Sequence, residues 1–388
     1  MAANPHLMTT EQVAERLGVK PATVYAYVSR GLLTSRRNAD GKGSLFAKPD
    51  VDAFVAGRKR PTTPGIQTGL TLIKDGGLYY RGHDACALAR TASFEAVATL
   101  LWTGELEHAD LVPQEELLDL AARVIAPLPP AARGTDRLRV IVAAVAAADP
   151  LRFDTTPAAV VATGRTMLVT MASALPRTRI AGKHRAGLAE ILWHRLSAAK
   201  ANYHLLNAAL ILLADHDLAA STLAARVAAS TRAHPYAVVG AGLAALDGPL
   251  HGAASSLAHA MLSDALTSGD PVATITGRQR VGPVPGFGHH LYPDGDPRAT
   301  TLIEMISDGP VRSTATRMIE AMRTRAGIHP NIDFALATLT LTHGMPPDAG
   351  ETIFAVGRTA GWLAHALEEY ADRPSRFRPS GQYSGRQP

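Results

Sequence analysis

A single cysteine, Cys86, is present among 388 residues. One thiol cannot build an intrachain disulfide framework or a multi-cysteine metal site, so the fold must be held by packing. Aromatic residues are also scarce, at 5%. That leaves Ala, Leu, Val and Ile to fill the core, and alanine-rich amphipathic segments favour helices. No apolar run approaches the roughly 20 residues of a membrane-spanning helix; the most apolar runs only from Leu205 to Ala214. The opening residues, MAANPHLMTT, lack a charged leader followed by an apolar stretch, so no signal peptide is expected and the predicted compartment is the cytoplasm. A chain of this length should contain more than one domain and bury a large core.

Net charge is missing from most of the chain. Residues 1–60 carry ten Lys/Arg against five Asp/Glu, while residues 61–388 hold 29 of each. All the net basicity therefore lies in the first 60 residues, the pattern of a basic module joined to a neutral body. Within that module, Thr9 to Leu17 reads as a capped helix stopped by Gly18, and Pro21 suits the first turn of a second helix running to Arg30. An Arg36-Arg37 pair, a turn-prone tip at residues 38–43 and Leu45-Phe46 read as a basic hairpin, and Pro49 to Val55 as a third short helix. Arg58-Lys59-Arg60 and the following Pro61-Thr62-Thr63-Pro64-Gly65 look like a linker.

Beyond the linker, Leu70 to Ile73 and Leu78 to Tyr80 flank Lys74-Asp75-Gly76-Gly77 and read as a small hairpin with a glycine turn. Segments near 93–103, 114–125, 131–147, 155–173, 185–214 and 348–371 carry apolar residues at three- and four-residue spacing. There is no strand–helix alternation and no repeat of fixed period. The fold class expected is mainly α.

Three short motifs carry acid–base groups in the C-terminal half: Gly248-Pro249-Leu250-His251-Gly252, Gly286-Phe287-Gly288-His289 and Pro330-Asn331-Ile332-Asp333. Each sits in a Gly- or Pro-rich context. Taken singly, Asp333 reads as a helix-start carboxylate and either histidine as a turn residue. Together, two histidines and one carboxylate are what is needed to remove a proton from carbon and protonate an oxygen elsewhere. Neither histidine has zinc-site spacing with the other, and no metal is expected.

The order and context of these motifs, from about residue 66 to 385, resemble the citrate synthase family. The resemblance implies a two-domain helical body, with a large domain at 61–220 and 335–388 and a small one at 221–334. It implies that Asp333 is the base that deprotonates acetyl-CoA, that His251 stabilises the enol(ate), and that His289 polarises and protonates the ketone of oxaloacetate. His216, Arg298, Arg358 and Arg378 match the residues that hold the acceptor; Arg376, not followed by proline, is the alternative for the last. That last arginine reaches the neighbouring subunit's site in the family, which implies a homodimer with a shared active site. Arg278 and Arg280 are candidates for the CoA phosphates. Ser255-Ser256, His290, Ala219 and Ser380 depart from the family's common residues. Acetyl-CoA is the expected co-substrate, with propionyl-CoA (a 2-methylcitrate synthase) as the alternative, and no permanently bound cofactor is expected.

The first 60 residues resemble the MerR/excisionase type of winged helix-turn-helix. By position, Thr23, Tyr25, Tyr27, Arg30, Arg36 and Arg37 would contact DNA. A regulator with a metabolite-sensing body is therefore a rival to the enzyme. A module that only packs on the dimer is a third reading.

Overall fold

The computed structural model describes residues 7–29, 33–37, 43–59, 66–111, 113–178, 187–377 and 385. The chain separates into two compact units, residues 1–67 and 68–388. The boundary expected after residue 60 falls at residues 60–65, outside the described ones.

The first unit contains β1 (Leu7–Thr9), α1 (Thr10–Leu17), α2 (Pro21–Ser29), β2 (Arg36–Arg37), β3 (Ser44–Ala47) and α3 (Lys48–Lys59). Thr9 and Gln12 form a capping box: Thr9 Oγ1 accepts from the Gln12 amide, and Gln12 Oε1 accepts from the Thr9 amide at 2.9 Å. Gly18 ends α1 in the left-handed conformation. The antiparallel sheet has the order β1-β3-β2, so the expected basic hairpin is β2–β3. Strand β1, too short to show a sequence pattern, adds to the other edge of β3 through Leu7–Ala47, Met8–Phe46 and Thr9–Leu45. Val13, Ala14, Val24, Leu33, Phe46 and Val51 make a small core of their own.

The second unit opens with β4 (Thr71–Lys74), β5 (Gly77–Tyr80) and β6 (His83–Asp84). Asp75 and Gly76 both have positive φ, the turn that a two-residue hairpin favours. The helices are α4 (Ala85–Thr91), α5 (Phe94–Thr103), α6 (Glu115–Ile125), α7 (Gly134–Ala148), α8 (Pro157–Ala174), α9 (Leu188–Leu196) and α10 (Tyr203–Leu213). They continue as α11 (Ala220–Ser230), α12 (Pro235–Leu246), α13 (Ala254–Ser268), α14 (Pro271–Gln279), α15 (Pro297–Met305), α16 (Pro310–Ala326), α17 (Ile332–Thr342) and α18 (Ala349–Ala371). The run expected at 185–214 is two helices, not one. Ser197 ends α9, its hydroxyl donating to the His343 carbonyl, and Asn202 caps α10 through Oδ1. A local hydrogen-bonding side chain at each end overrides the continuous apolar spacing.

Helix α18 is the axis of the body. Every residue from Ala349 to Ala366 is buried, as expected of a helix packed on all sides. At Gly361 a Cβ would collide with the Ala214 carbonyl and with Asp215 Oδ1 at 2.5 Å. Its absence lets the C-terminal end of α10 rest on α18. Helices α11 and α12 pack on α18, and α12 also on α7; α13, α14, α16 and α17 pack chiefly among themselves, with α15 on α17. Among the described residues no helix is long and apolar enough to cross a membrane.

Candidate active site

Three loops bring the acid–base groups forward. His251 lies in the tight turn between α12 and α13, where the Gly252 amide donates to the Leu246 carbonyl and the His251 amide to that of Gly248. Asp333 lies in the first turn of α17, its amide capped by Asn331 Oδ1 at 3.0 Å. His289 lies between α14 and α15, and its loop is zipped to the Asp333 loop. Phe287 bridges Pro330, the Gly288 amide donates to His329, the Asn331 amide to Gly286, and Asn331 Nδ2 to the Gly288 carbonyl. Asp296 Oδ2 accepts from the Ile332 amide at 3.1 Å, a second tie between the loops. Gly286 makes this approach feasible: its φ is +79°, and a Cβ there would sit 2.8 Å from the Phe334 Cβ.

Hydrogen bonding assigns the tautomers of both histidines. His289 Nδ1 accepts from the Leu291 amide at 3.2 Å, so the proton is on Nε2. His251 Nε2 lies 2.7 Å from Ser221 Oγ, which itself accepts from Trp362 Nε1 at 3.3 Å. Ser221 Oγ has no other acceptor among the described residues, so its hydrogen points to His251 Nε2, leaving Nδ1–H as a donor. Burial, aided by Arg358, pushes His251 down to about 4. Burial and the Arg298 charge do the same to His289. Both rings are neutral N–H donors near pH 7. Asp333 moves the other way: burial, opposed by Arg298 and reinforced by Asp296, pushes it up to about 7. Its Oδ1 is buried without a hydrogen-bond partner. Two neutral donors and a carboxylate poised near neutrality suit proton abstraction from carbon.

The cationic groups differ in how far they are occupied. Arg298 is buried and makes two bonds to Asp296, at 2.9 and 2.8 Å, with its guanidinium over the Tyr292 ring. Arg358 is equally buried; Nε donates to the Leu213 carbonyl at 2.7 Å, but Nη1 has no partner. Burial pushes it down to about 10, Asp215 partly opposing, so it stays charged at neutral pH. A buried guanidinium nitrogen without an acceptor is an open seat for a carboxylate. His216 joins the group, Nε2 3.0 Å from Tyr292 Oη and its ring 5.2 Å from that of His289. Burial, then Arg298 and Arg358, hold it well below its usual range. Arg376 is bound to Glu369 through Nε at 2.8 Å and Nη2 at 2.5 Å. Arg378 lies outside the described residues. Arg278 pairs with Asp264 at 3.0 Å on an exposed face, and Arg280 is exposed beside it.

The profile described as citrate synthase, C-terminal domain, matches residues 62–380. The chain belongs to the citrate synthase family. It is 30% identical over 342 residues to 2-methylcitrate synthase 2 of Corynebacterium glutamicum, covering 79% of this chain and 88% of that protein. It is 32% identical over 349 residues to a citrate synthase of Haloferax volcanii, covering 80% and 90%. A solved citrate synthase from Thermotoga maritima superposes with a TM-score of 0.69 at 26% identity, covering 84% of this chain and 95% of that one. A helix-turn-helix profile matches residues 7–59. The protein is thus a citrate-synthase-type acyltransferase, of a family that condenses an acyl-CoA with oxaloacetate and carries no permanent cofactor.

In this citrate synthase body, sequence reading missed residues that hold the site from behind. Ser221, in the first turn of α11, fixes the His251 ring, yet nothing distinguishes it from other helix-start serines. Asp296 unites a helix cap, Arg298 and the Asp333 loop; the Asp296-Pro297-Arg298 string was the available signal. Asp247, just before the His251 turn, takes Arg133 at 2.5 Å and Arg139 at 3.1 Å from the α7 side. In the helix-turn-helix unit, Tyr25 is 51% exposed, Thr23 partly exposed, and Arg36 and Arg37 exposed along β2. Tyr27 turns inward, its ring 5.3 Å from Phe54. Arg30 lies outside the described residues.

Proposed function

We propose that the protein condenses acetyl-CoA with oxaloacetate to citrate and CoA. The Asp333 carboxylate takes a proton from the acetyl methyl group, and His251 Nδ1–H stabilises the charge that develops on the thioester oxygen. The resulting carbon nucleophile adds to the keto carbon of oxaloacetate, and His289 Nε2–H supplies the proton for the new alkoxide. Water then hydrolyses citryl-CoA, releasing the thiol. Arg298, Arg358 and His216 hold the acceptor's carboxylates. The observation that carries this reading is Asp333: a carboxylate pushed to about 7, with one oxygen buried and unpartnered, is a base kept ready for carbon.

Several finer assignments follow from the same reading. On this reading the part that closes over the substrates is α13, α14, α16 and α17 with α15, which pack chiefly among themselves, and we place its start at the His251 turn rather than near residue 221. Arg278 and Arg280 lie on an exposed face suited to the CoA phosphates. Arg378 completes the acceptor site of a second subunit, which makes the working form a homodimer. Propionyl-CoA is the competing donor: relatives of both names match the chain, and one methyl group changes pocket preference by only about 1–3 kcal/mol.

The test is CoA thiol release with oxaloacetate and either donor, with Asp333→Asn alongside. Release that Asp333→Asn lowers by about 10²–10⁴-fold is the expected result, and the ratio of the two donors names the synthase. A folded protein that releases no thiol from either donor overturns the proposal.

We infer a second activity, DNA binding, for residues 7–59. The match to a helix-turn-helix profile and the exposed Arg36-Arg37 strand favour it. Thr23, Tyr25, Arg36 and Arg37 are the contacts this reading assigns.

A further inference from the structure

The face of α18 turned toward the end of α10 carries three residues that the proposed reaction does not fully use. Arg358, Gly361 and His365 fall three and four residues apart, on one side of the helix. They bond three successive residues: Arg358 Nε to the Leu213 carbonyl at 2.7 Å, the Gly361 amide to the Ala214 carbonyl at 2.9 Å, and His365 Nε2 to Asp215 Oδ2 at 3.2 Å. The next residue is His216. The last carbonyls of a helix have no partners of their own, and here α18 supplies them.

His365 is fully buried, and its polarity is dictated by its neighbours. Its Nδ1 lies 2.5 Å from Nη1 of Arg226, which is itself buried in α11. A guanidinium cannot accept, so Nδ1 accepts, the ring proton sits on Nε2, and that proton is donated to Asp215. Asp215 Oδ2 also takes the Thr71 hydroxyl at 2.5 Å, while its backbone carbonyl takes the Tyr80 hydroxyl at 3.0 Å. Arg226 is held in turn by Glu369 at 2.5 Å and Glu368 at 2.6 Å, and Glu369 also binds Arg376. The result is one directed chain from the C-terminal segment through Arg376, Glu369, Arg226 and His365 to Asp215.

We infer that His365 is a positioning residue for the oxo-acid. It fixes the Asp215 carboxylate at the end of α10, and thereby sets His216, in the segment between α10 and α11, against Arg358 of α18, so that both face one acceptor. This rests on the reading of that pocket as the oxaloacetate site. With Nδ1 held by the buried Arg226 guanidinium, the Nε2–H stays aimed at the Asp215 carboxylate as a charge-assisted donor. No contact of His365 with the reacting atoms is involved.

The experiment measures oxaloacetate Kd by calorimetry without acyl-CoA, together with both KM values, in wild type, His365→Leu, His365→Asn and His365→Gln. Leu removes the donor, Asn moves it toward Arg226, and Gln restores an N–H near the position of Nε2. Loss of a charge-assisted bond should raise oxaloacetate Kd and KM about tenfold or more in Leu and Asn. Acyl-CoA KM should stay within about twofold, with Gln recovering most of the oxo-acid affinity. If Leu does not fold, Asn against Gln gives the same comparison. A purely structural role would lower the thermal midpoint and the active fraction while leaving oxaloacetate Kd unmoved; that result overturns the inference. So does a Gln variant no better than Asn. A wild-type protein that binds no oxaloacetate overturns the proposed function and this inference together, whereas wild-type binding matched by all the variants overturns this inference alone.

Discussion

At Asp333 burial acts on chemistry and on stability in opposite directions. Its folded pKa is raised from 3.8 to about 7. Raising an acid's pKa in the folded state means that folding favours the protonated form, so this stability is full below about pH 4 and is lost as pH rises through 7. As the proposed base, however, it works only when ionised. We therefore expect kcat/KM for the acyl-CoA to rise about tenfold per pH unit below 7 and level off above it. His251 and His289, both near 4, remain neutral throughout and add no inflection between pH 5 and 9. Asp333→Asn should lose the pH dependence and melt progressively higher than wild type from pH 5 to pH 8, a trend that thermal unfolding at several pH values would detect. A flat wild-type profile would disprove the assignment of this group as the base. Asp333, His251 and His289, the groups proposed here for the chemistry, stand out in the sequence through their Gly- and Pro-rich motifs. Ser221 was not, because only the crossing of α11 and α18 brings a serine, Trp362 and the His251 ring together.

Among the elements, the paired loops of His289 and Asp333 show how backbone geometry serves the site. Gly286 accepts the Asn331 amide at 2.9 Å with a φ of +79°, facing Phe334. Gly286→Ala combines a left-handed strain with overpacking and should cost about 2–4 kcal/mol of stability. Because both loops would separate, thiol release should also fall by about 10²-fold in the fraction still folded. Comparison of denaturant midpoints with turnover per active site would check both numbers; an unperturbed midpoint would contradict the packing argument. The helices at 93–103, 114–125 and 348–371 were visible in the apolar spacing to within a residue or so, since each presents a periodic face to the core. The break between Leu196 and Tyr203 was not, because the apolar spacing continues across it while Ser197 and Asn202 redirect the backbone locally. Strand β1 also escaped notice: three residues have no period, and their pairing exists only because β3 offers an edge.

For the whole molecule, the homodimer proposal makes a quantitative demand. If Arg378 serves the neighbouring subunit, a hybrid of Arg378→Ala and Asp333→Asn subunits has one site with every group intact. Random reassortment of the two inactive variants should restore roughly a quarter of wild-type thiol release, since about half the dimers are hybrids with one working site. Recovery of nothing after verified subunit exchange would show that each chain uses its own arginine. The N-terminal unit makes a separate demand. Full-length protein should bind duplex DNA with an affinity that falls steeply with salt, and removal of residues 1–67 should abolish binding while sparing catalysis. A truncation that still binds, or full-length protein that binds no DNA at low salt, would remove the second activity.

The two-part plan, the helical class, the family and the order of the acid–base motifs can all be read along the chain. These reside in charge distribution, apolar period and short Gly/Pro contexts, all of them local in the chain. Folding alone sets which way each histidine carries its proton, that Arg358 keeps an unpartnered nitrogen while Arg298 is engaged by Asp296, and that Arg376 is committed to Glu369. Those outcomes depend on burial and on partners up to 150 residues away, as between Asp215 and His365. Desolvation and hydrogen-bond direction are properties of a packed environment, and no pattern along the chain encodes them before the helices meet.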